Sequence, residues 1–255
     1  MIKKWRLILD KRSDGAWNMA VDEAILANYS NQRIPTLRIY GWQEPYISLG
    51  YSQEPEEVLR PDNAFPFVRR ITGGGCILHH KEVTYSIVCA LEDLGLPAGV
   101  KESYRMLCGF LFDFYRSLGL FASFAKDSQQ ADLRRPAAFC FSNWEEFDLV
   151  IAGKKIGGNA QRRKRNLIFQ QGTIPQQLDF SQINRSIKHV FGASQKAGCL
   201  DDLLGHPTRF AFLSSLLAES FKKTFNLGLY RGLLSPQETQ TTKVILKDKE
   251  QACVF

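Results

Sequence analysis

The sequence predicts an α+β fold, a mixed, largely antiparallel β-sheet with helices packed on it. Three observations carry that prediction. Before Ile174, segments of strand composition outnumber segments of helical spacing. Residues 82–90 (Glu-Val-Thr-Tyr-Ser-Ile-Val-Cys-Ala) are rich in β-branched and aromatic side chains and give the strongest strand signal in the chain. Apolar residues recur at helical spacing around 18–29, 101–118 and 208–225.

In chain order, residues 5–8 read as a first strand, broken by the polar stretch 10–15. Met19, Ala20, Val21, Ala24, Ile25 and Leu26 then give an amphipathic helix one apolar face, and it ends before Pro35. Residues 36–40 and 46–51 alternate as strands, and 55–59 form a short helix ahead of Pro61. Strand 67–70 leads into three consecutive glycines. Segments 76–78 and 82–90, with His80-Lys81 between, predict a hairpin. Tyr104, Leu107, Cys108, Leu111, Phe112 and Tyr115 predict one helix over 101–118, stopped at Gly119. A strand follows at 121–124. The stretch 125–138 has no period and reads as a long loop of the kind that often carries function, with room for a short helix. Residues 147–158 predict a hairpin turning at Gly153-Lys154, and 166–174 a further strand. Helices follow near 181–191 and 208–225, and the polar tail from Ser235 is expected to be poorly ordered.

With 255 residues and 44% hydrophobic side chains, the chain can bury a substantial core. No apolar run reaches the roughly 18 residues that span a bilayer, and the N-terminal ten residues, interrupted by Arg6, do not read as a signal peptide. The six scattered cysteines show no C-x-x-C pairing and suit a reducing, cytoplasmic setting, without disulfides or zinc. A formal charge of +7 points to an acidic partner. The basic run Arg162-Arg163-Lys164-Arg165 is a solvated turn or a seat for an acidic protein. It lacks the interleaved aromatic residues of a nucleic-acid platform.

The chemistry concentrates in two places. Arg69 and Arg70 precede Thr72 and the bare backbone of Gly73, Gly74 and Gly75, against which a ligand can lie while guanidinium groups pair with its oxygens. Later, Cys140 sits between Phe139 and Phe141, ahead of Lys155 and Gly157-Gly158-Asn159-Ala160-Gln161. A lysine ammonium near a thiol favours the thiolate and can exchange protons with it. On the residues alone, a cysteine between two phenylalanines such as Cys140 is more often buried filler than nucleophile, Lys155 reads also as a solvated hairpin lysine, and Cys76 is a rival nucleophile. His79, His80, His189 and His206 lack the spacing of a metal site.

Taken together, Arg-Arg-x-Thr-Gly-Gly-Gly with His79 after it, Gly-Lys-Lys-Ile-Gly-Gly-Asn-Ala-Gln-x-Arg, Gln-Gln-Gly-Thr-Ile and the helix segment Asn18–Glu23 resemble the lipoate-protein ligase and octanoyltransferase superfamily, related to biotin ligases, over residues 5–225. The resemblance implies a catalytic domain over 1–230 with a short tail at 231–255, and an acyl chain in an apolar tunnel beside the glycine loop. It also implies Lys155 at the acyl carbonyl and substrate contacts from Arg69, Arg70, Thr72, Gly73, Gly74, Gly75, His79, Gly157, Gly158, Asn159, Ala160, Gln161, Gly172 and Thr173. Cys140-Phe141, ahead of the Gly-Lys-Lys hairpin, is similar to the cysteine-dependent octanoyltransferases, in which Cys140 would be the acyl-thioester nucleophile and Lys155 its catalytic partner. That branch implies no cofactor, acyl carrier protein as donor, and a lipoyl carrier domain of glycine-cleavage or 2-oxoacid dehydrogenase type as acceptor, with no nucleic acid or membrane partner. Two alternatives remain: an ATP-dependent lipoate ligase using ATP and Mg, and a non-catalytic acyl- or carrier-binding module. The chain departs from the family pattern at His80, where an aspartate is usual, and at Gln171, where a histidine is usual.

Overall fold

The computed structural model describes residues 3–128, 139–142, 144–190 and 192–252. Strand β1 (Lys4–Ser13) ends at Asp14, whose carboxylate accepts from the backbone N–H groups of Ala16 and Trp17 and so caps helix α1 (Gly15–Gln32). Strands β2 (Thr36–Trp42) and β3 (Tyr46–Leu49), short helix α2 (Pro55–Val58) and strands β4 (Phe67–Arg69), β5 (Ile77–His79) and β6 (Glu82–Ala90) follow. Then come helices α3 (Leu91–Leu94), α4 (Val100–Leu107) and α5 (Gly109–Ser117), and strands β7 (Ser123–Phe124), β8 (Leu149–Ile151), β9 (Lys154–Lys155), β10 (Gly158–Lys164) and β11 (Leu167–Pro175). The chain finishes with helices α6 (Phe180–Ser186), α7 (Ala193–Lys196), α8 (Leu200–Leu204) and α9 (Phe210–Phe225), strand β12 (Gly228–Arg231) and helix α10 (Pro236–Ala252).

The main sheet runs β10-β11-β6-β2-β1-β12, antiparallel from β10 to β2 and parallel from β2 to β12. This is the α+β class that the sequence predicts. Its larger core packs Leu37, Ile39, Tyr85 and Ile87 against Phe110, Phe114, Leu217 and Phe221 of α5 and α9. On the opposite face α1 packs through Val21, Ile25 and Tyr29. The expected apolar helix face thus lies on the sheet, but a charged network fixes its position: buried Arg38 donates to Asp22 at 2.8 Å, Asn18 at 2.9 Å and Asp10 at 2.7 Å. The helix segment Asn18–Glu23 therefore clamps α1 to β2.

Two expectations are corrected here, and a third, for the C-terminal tail, below. Segments β5 and β6 do not form a hairpin. β5 pairs with β3 in a separate sheet ordered β4-β3-β5, while β6 pairs with β2 and β11. A strand buried along its whole length needs two neighbours, and its own residues do not say which ones. The helix expected over 101–118 breaks between Leu107 and Gly109, where the Cys108 N–H turns toward both Tyr104 and Met106 carbonyls and the poor helix former Gly109 follows. The expected loop at 125–138 opens with a short 3-10 turn at Ala125–Asp127, and its remainder from 129 lies outside the described residues.

The C-terminal tail, expected to be poorly ordered, instead forms helix α10 over Pro236–Ala252. Ser235 and Glu238 cap it reciprocally, the Ser235 N–H donating to Glu238 at 2.7 Å and the Glu238 N–H to Ser235 Oγ at 3.1 Å, with Pro236 at the first helical position. Glu238 also accepts two hydrogen bonds from buried Arg6 at 2.6 and 2.7 Å, and Lys249 pairs with Glu23 of α1 at 2.5 Å. Glu238→Ala leaves Arg6 buried and unpaired, so we expect a loss of about 3–5 kcal/mol, read by denaturant unfolding. Among the described residues, no helix is long and apolar enough to cross a membrane.

Candidate active site

Lys155 closes the β8–β9 hairpin, whose turn is Ala152-Gly153, both at positive φ. This places the Lys155 side chain inside the protein, 2% exposed, where its ammonium pairs with Asp148 at 2.6 Å and donates to the Cys140 carbonyl at 2.8 Å. The Cys140 sulfur lies 3.7 Å from the same nitrogen. Burial by itself lowers the pKa of Lys155, but Cys140 and Asp148 outweigh it and hold the group above the ordinary lysine range. Cys140 is half-buried, and its N–H donates to the Cys76 carbonyl at 3.1 Å, which fixes it against the strand leaving the glycine loop. Cys76 itself is fully buried, and burial pushes its thiol up to about 12. That environment suits packing rather than nucleophilic attack.

Cys140 and Lys155 open into a cavity of about 660 Å3. The glycine loop contributes Gly73, Gly74 and Gly75, with Arg70 and His79 beside it. Strands β10 and β11 contribute Gly158, Asn159, Ala160, Gln161, Gly172 and Thr173. A Cβ on Gly158 would stand 3.0 Å from Cys140 Sγ, so the missing side chain is what leaves the sulfur accessible. Arg69, Thr72 and Gly157 are not part of the wall. Arg69 donates to backbone carbonyls of Tyr51 and Gln53, and Thr72 accepts from Arg70 at 3.1 Å. Gly157 abuts the Thr173 carbonyl, where no Cβ fits.

Arg70 is a brace rather than a free cation. Its buried guanidinium donates to the Ser48 carbonyl at 3.1 Å and to the Gly73 and Gly75 carbonyls at 2.6 and 2.9 Å, holding the loop open around Gly74 at φ 89°. Ser48 links it to His79 Nε2 at 2.7 Å, and His79 Nδ1 meets Glu82 at 2.8 Å while its ring stacks on Trp42. Burial works against charge on Glu82, but His79 and the Thr84 hydroxyl hold its pKa below the ordinary carboxylate value. Three site-shaping residues, Asp148, Ser48 and Glu82, are not singled out by sequence reasoning. Asp148 and Glu82 carry a readable signal, an acid inside or at the edge of an otherwise apolar strand, which implies a buried partner. Ser48 has none.

Among the described residues no cluster of three or more His, Cys, Asp or Glu side chains could hold a metal ion. The cavity wall carries Glu145, Glu146 and Asp148 against Lys101 and Lys155, with Lys101 paired to Glu146 at 2.9 Å and Lys155 to Asp148.

Comparison with known proteins gives the family and the fold. Octanoyltransferase LipM of Kyrpidia tusciae is 34% identical over 264 residues, covering 96% of each chain. Octanoyltransferase LipM of Geobacillus kaustophilus is 33% identical, over 97% of this chain and 96% of its own. Among solved structures, lipoate-protein ligase A bound with ATP superposes with a TM-score of 0.82 at 20% identity, covering 97% of this chain and 96% of the other. The bipartite lipoate protein ligase of Thermoplasma acidophilum, studied with its E2 lipoyl domain, superposes with a TM-score of 0.79 at 18% identity, over 98% and 94% of the two chains. At those identities the two structures speak to fold alone. Residues 14–222 match the lipoyl protein ligase A/B catalytic domain, and the chain belongs to that family.

Proposed function

We propose that this enzyme is an octanoyltransferase of protein lipoylation in which Cys140 carries the acyl group between two protein partners. Relatives named octanoyltransferase along nearly their whole length support the reaction. The observation that carries the cysteine route is the Cys140 sulfur 3.7 Å from the buried Lys155 ammonium, at the floor of a cavity large enough for an eight-carbon chain.

The thiolate of Cys140 attacks the carbonyl carbon of an octanoyl thioester on acyl carrier protein. A carbon–sulfur bond forms to Cys140, the bond to the carrier sulfur breaks, and the carrier leaves as a thiolate that takes up a proton. Lys155 and the glycine-lined backbone stabilise the oxyanion between those events. A lysine amine of a lipoyl carrier domain, of glycine-cleavage or 2-oxoacid dehydrogenase type, then attacks the acyl-enzyme. The amide bond forms, the bond to Cys140 breaks, and the proton lost by the amine is balanced by the one the Cys140 thiolate can regain. No cofactor enters either half-reaction. A ligase route through ATP and Mg would bring a polyphosphate to a wall where, among the described residues, the lysines Lys101 and Lys155 are already paired with carboxylates, which speaks against it.

An acidic carrier has a matching surface. Arg162, Lys164 and Arg165 are exposed on edge strand β10 and the turn after it, one residue beyond cavity-lining Gln161, and no carboxylate among the described residues pairs with them. Reversing two charges, Arg162→Glu with Lys164→Glu, is expected to raise KM for the carrier-bound donor roughly tenfold or more at low salt, with the gap closing as salt rises.

The reading is tested by intact mass and peptide mapping after incubation with octanoyl-loaded acyl carrier protein and no ATP. A hydroxylamine-labile octanoyl adduct on Cys140 is expected. Absence of the adduct, with ATP and free lipoate instead giving a bound acyl-adenylate, would overturn it in favour of a ligase; no turnover under either condition would favour a binding module.

A further inference from the structure

One buried carboxylate anchors part of the catalytic cavity's wall without belonging to that wall. Glu82, 4% exposed at the start of β6, borders a second cavity of about 390 Å3 rather than the one that holds Cys140. An ionised carboxylate only accepts hydrogen bonds, and here a single oxygen, Oε1, takes two. One comes from His79 Nδ1 at 2.8 Å and the other from the Thr84 hydroxyl. Thr84 Oγ1 in turn accepts from Trp42 Nε1 at 2.8 Å. The rings of His79 and Trp42 stack with centroids 3.9 Å apart and planes 9° from parallel, so one oxygen orients both members of the stack. Trp42, His79 and Thr84 all line the catalytic cavity.

A second branch of the network reaches the glycine loop. With its proton on Nδ1, facing Glu82, His79 offers Nε2 as an acceptor to the Ser48 hydroxyl at 2.7 Å. Ser48 Oγ keeps lone pairs for Arg70, whose guanidinium donates to it at 3.2 Å and onward to the Gly73 and Gly75 carbonyls at 2.6 and 2.9 Å. Each donor in the series Arg70, Ser48, His79 thus meets an acceptor, and Glu82 sets the direction of the series. The opposite tautomer would aim both Nε2–H and the guanidinium at Ser48 Oγ and would leave a bare Nδ1 against a carboxylate oxygen. All these side chains are buried, which makes an unmatched donor or acceptor among them costly.

We infer that Glu82 is a positioning residue for the acyl substrate. Through His79 and Ser48 it fixes Arg70 and the glycine loop, and through Thr84 it fixes Trp42, so it shapes the wall that receives the acyl group while lying outside the cavity. Cys140, Lys155 and Asp148 are joined by contacts of their own that do not pass through this network. Loss of Glu82 is therefore felt in acyl binding more than in the chemical step. The assignment rests on the transferase reading above, in which the cavity takes an octanoyl group.

The test pairs two measurements: single-turnover acylation of Cys140 by octanoyl-loaded acyl carrier protein over a range of donor concentrations, followed by intact mass, and nitrogen NMR of the histidine rings, which reports the tautomer. The wild type should show an Nδ1–H ring assigned to His79 by its loss in His79→Gln. Glu82→Leu should remove that signature and raise the half-saturating donor concentration roughly tenfold or more, while the maximal rate changes by about threefold or less. Glu82→Gln, which keeps an acceptor oxygen in the same place, should recover most of the loss. Ser48→Ala cuts the path to Arg70 and leaves Glu82, Thr84 and Trp42 joined, so it carries the test if Glu82→Leu fails to fold. Its half-saturation should rise about three- to tenfold with the Nδ1–H signature retained. An Nε2–H His79 in the wild type, or wild-type half-saturation in folded Ser48→Ala, would overturn the inference while leaving the cysteine route standing. A wild type that the loaded carrier never acylates would instead remove the transferase reading beneath it, and the tautomer, read without substrate, keeps the two failures distinct.

Discussion

Cys140→Ala is expected to abolish octanoyl transfer, lowering the rate roughly 10³-fold or more, while its circular dichroism spectrum and unfolding midpoint stay close to those of the wild type. The sulfur is half-buried at the cavity floor and, among the described residues, makes one weak polar contact, to Lys155 at 3.7 Å, so its loss removes the nucleophile without opening the core. The backbone hydrogen bond from residue 140 to the Cys76 carbonyl survives the substitution. Cys76→Ala is the matching control. Its thiol is fully buried and held far toward the protonated form, so transfer should persist, with only a packing loss in stability. Undiminished transfer by Cys140→Ala would rule out the acyl-enzyme; loss in Cys76→Ala with retention in Cys140→Ala would reverse the assignment of the nucleophile.

The difference between these two cysteines also marks what a sequence can and cannot tell. Both lie beside glycines or aromatic residues, and local pattern leaves them as rivals. The fold separates them, because the strand leaving the glycine loop turns Cys76 inward while Gly158, which is distant in sequence, leaves space beside Cys140. The α+β class was legible because period-two and helical patterns are local. Strand pairing was not: the 76–90 hairpin fails because β6 is a central strand whose neighbours, β2 and β11, lie some 45 residues before it and 85 after it. The glycine loop was legible as a ligand surface, whereas the role of Arg70 was not. A guanidinium beside glycines looks available to an anion, yet the loop's own carbonyls take its donors. The tail illustrates the opposite error, since Ser235-Pro236-Gln237-Glu238 contains a capping signal that polar composition obscured.

The second large effect is expected at the Lys155–Asp148 pair, where stability and activity come apart. Lys155→Gln removes the ammonium beside Cys140 and should slow transfer about 10²- to 10³-fold. It also strands the buried Asp148 carboxylate, so about 3–5 kcal/mol of stability should be lost with it. Combining it with Asp148→Asn replaces the ion pair by two neutral amides of similar shape; unfolding should then show most of the stability restored, whereas transfer stays slow. A merely structural Lys155 would give the contrary result, with rate returning as stability returns. Asp148→Asn alone adds a pH readout. Burial lowers the pKa of Lys155, and Asp148 is one of the groups that raise it, so removing the carboxylate must move that pKa downward. The ammonium is then lost at a lower pH than in the wild type, and the variant's transfer rate should fall on the alkaline side where the wild-type rate still holds. An unchanged alkaline limb in the folded variant would mean that Lys155 does not act through its charge.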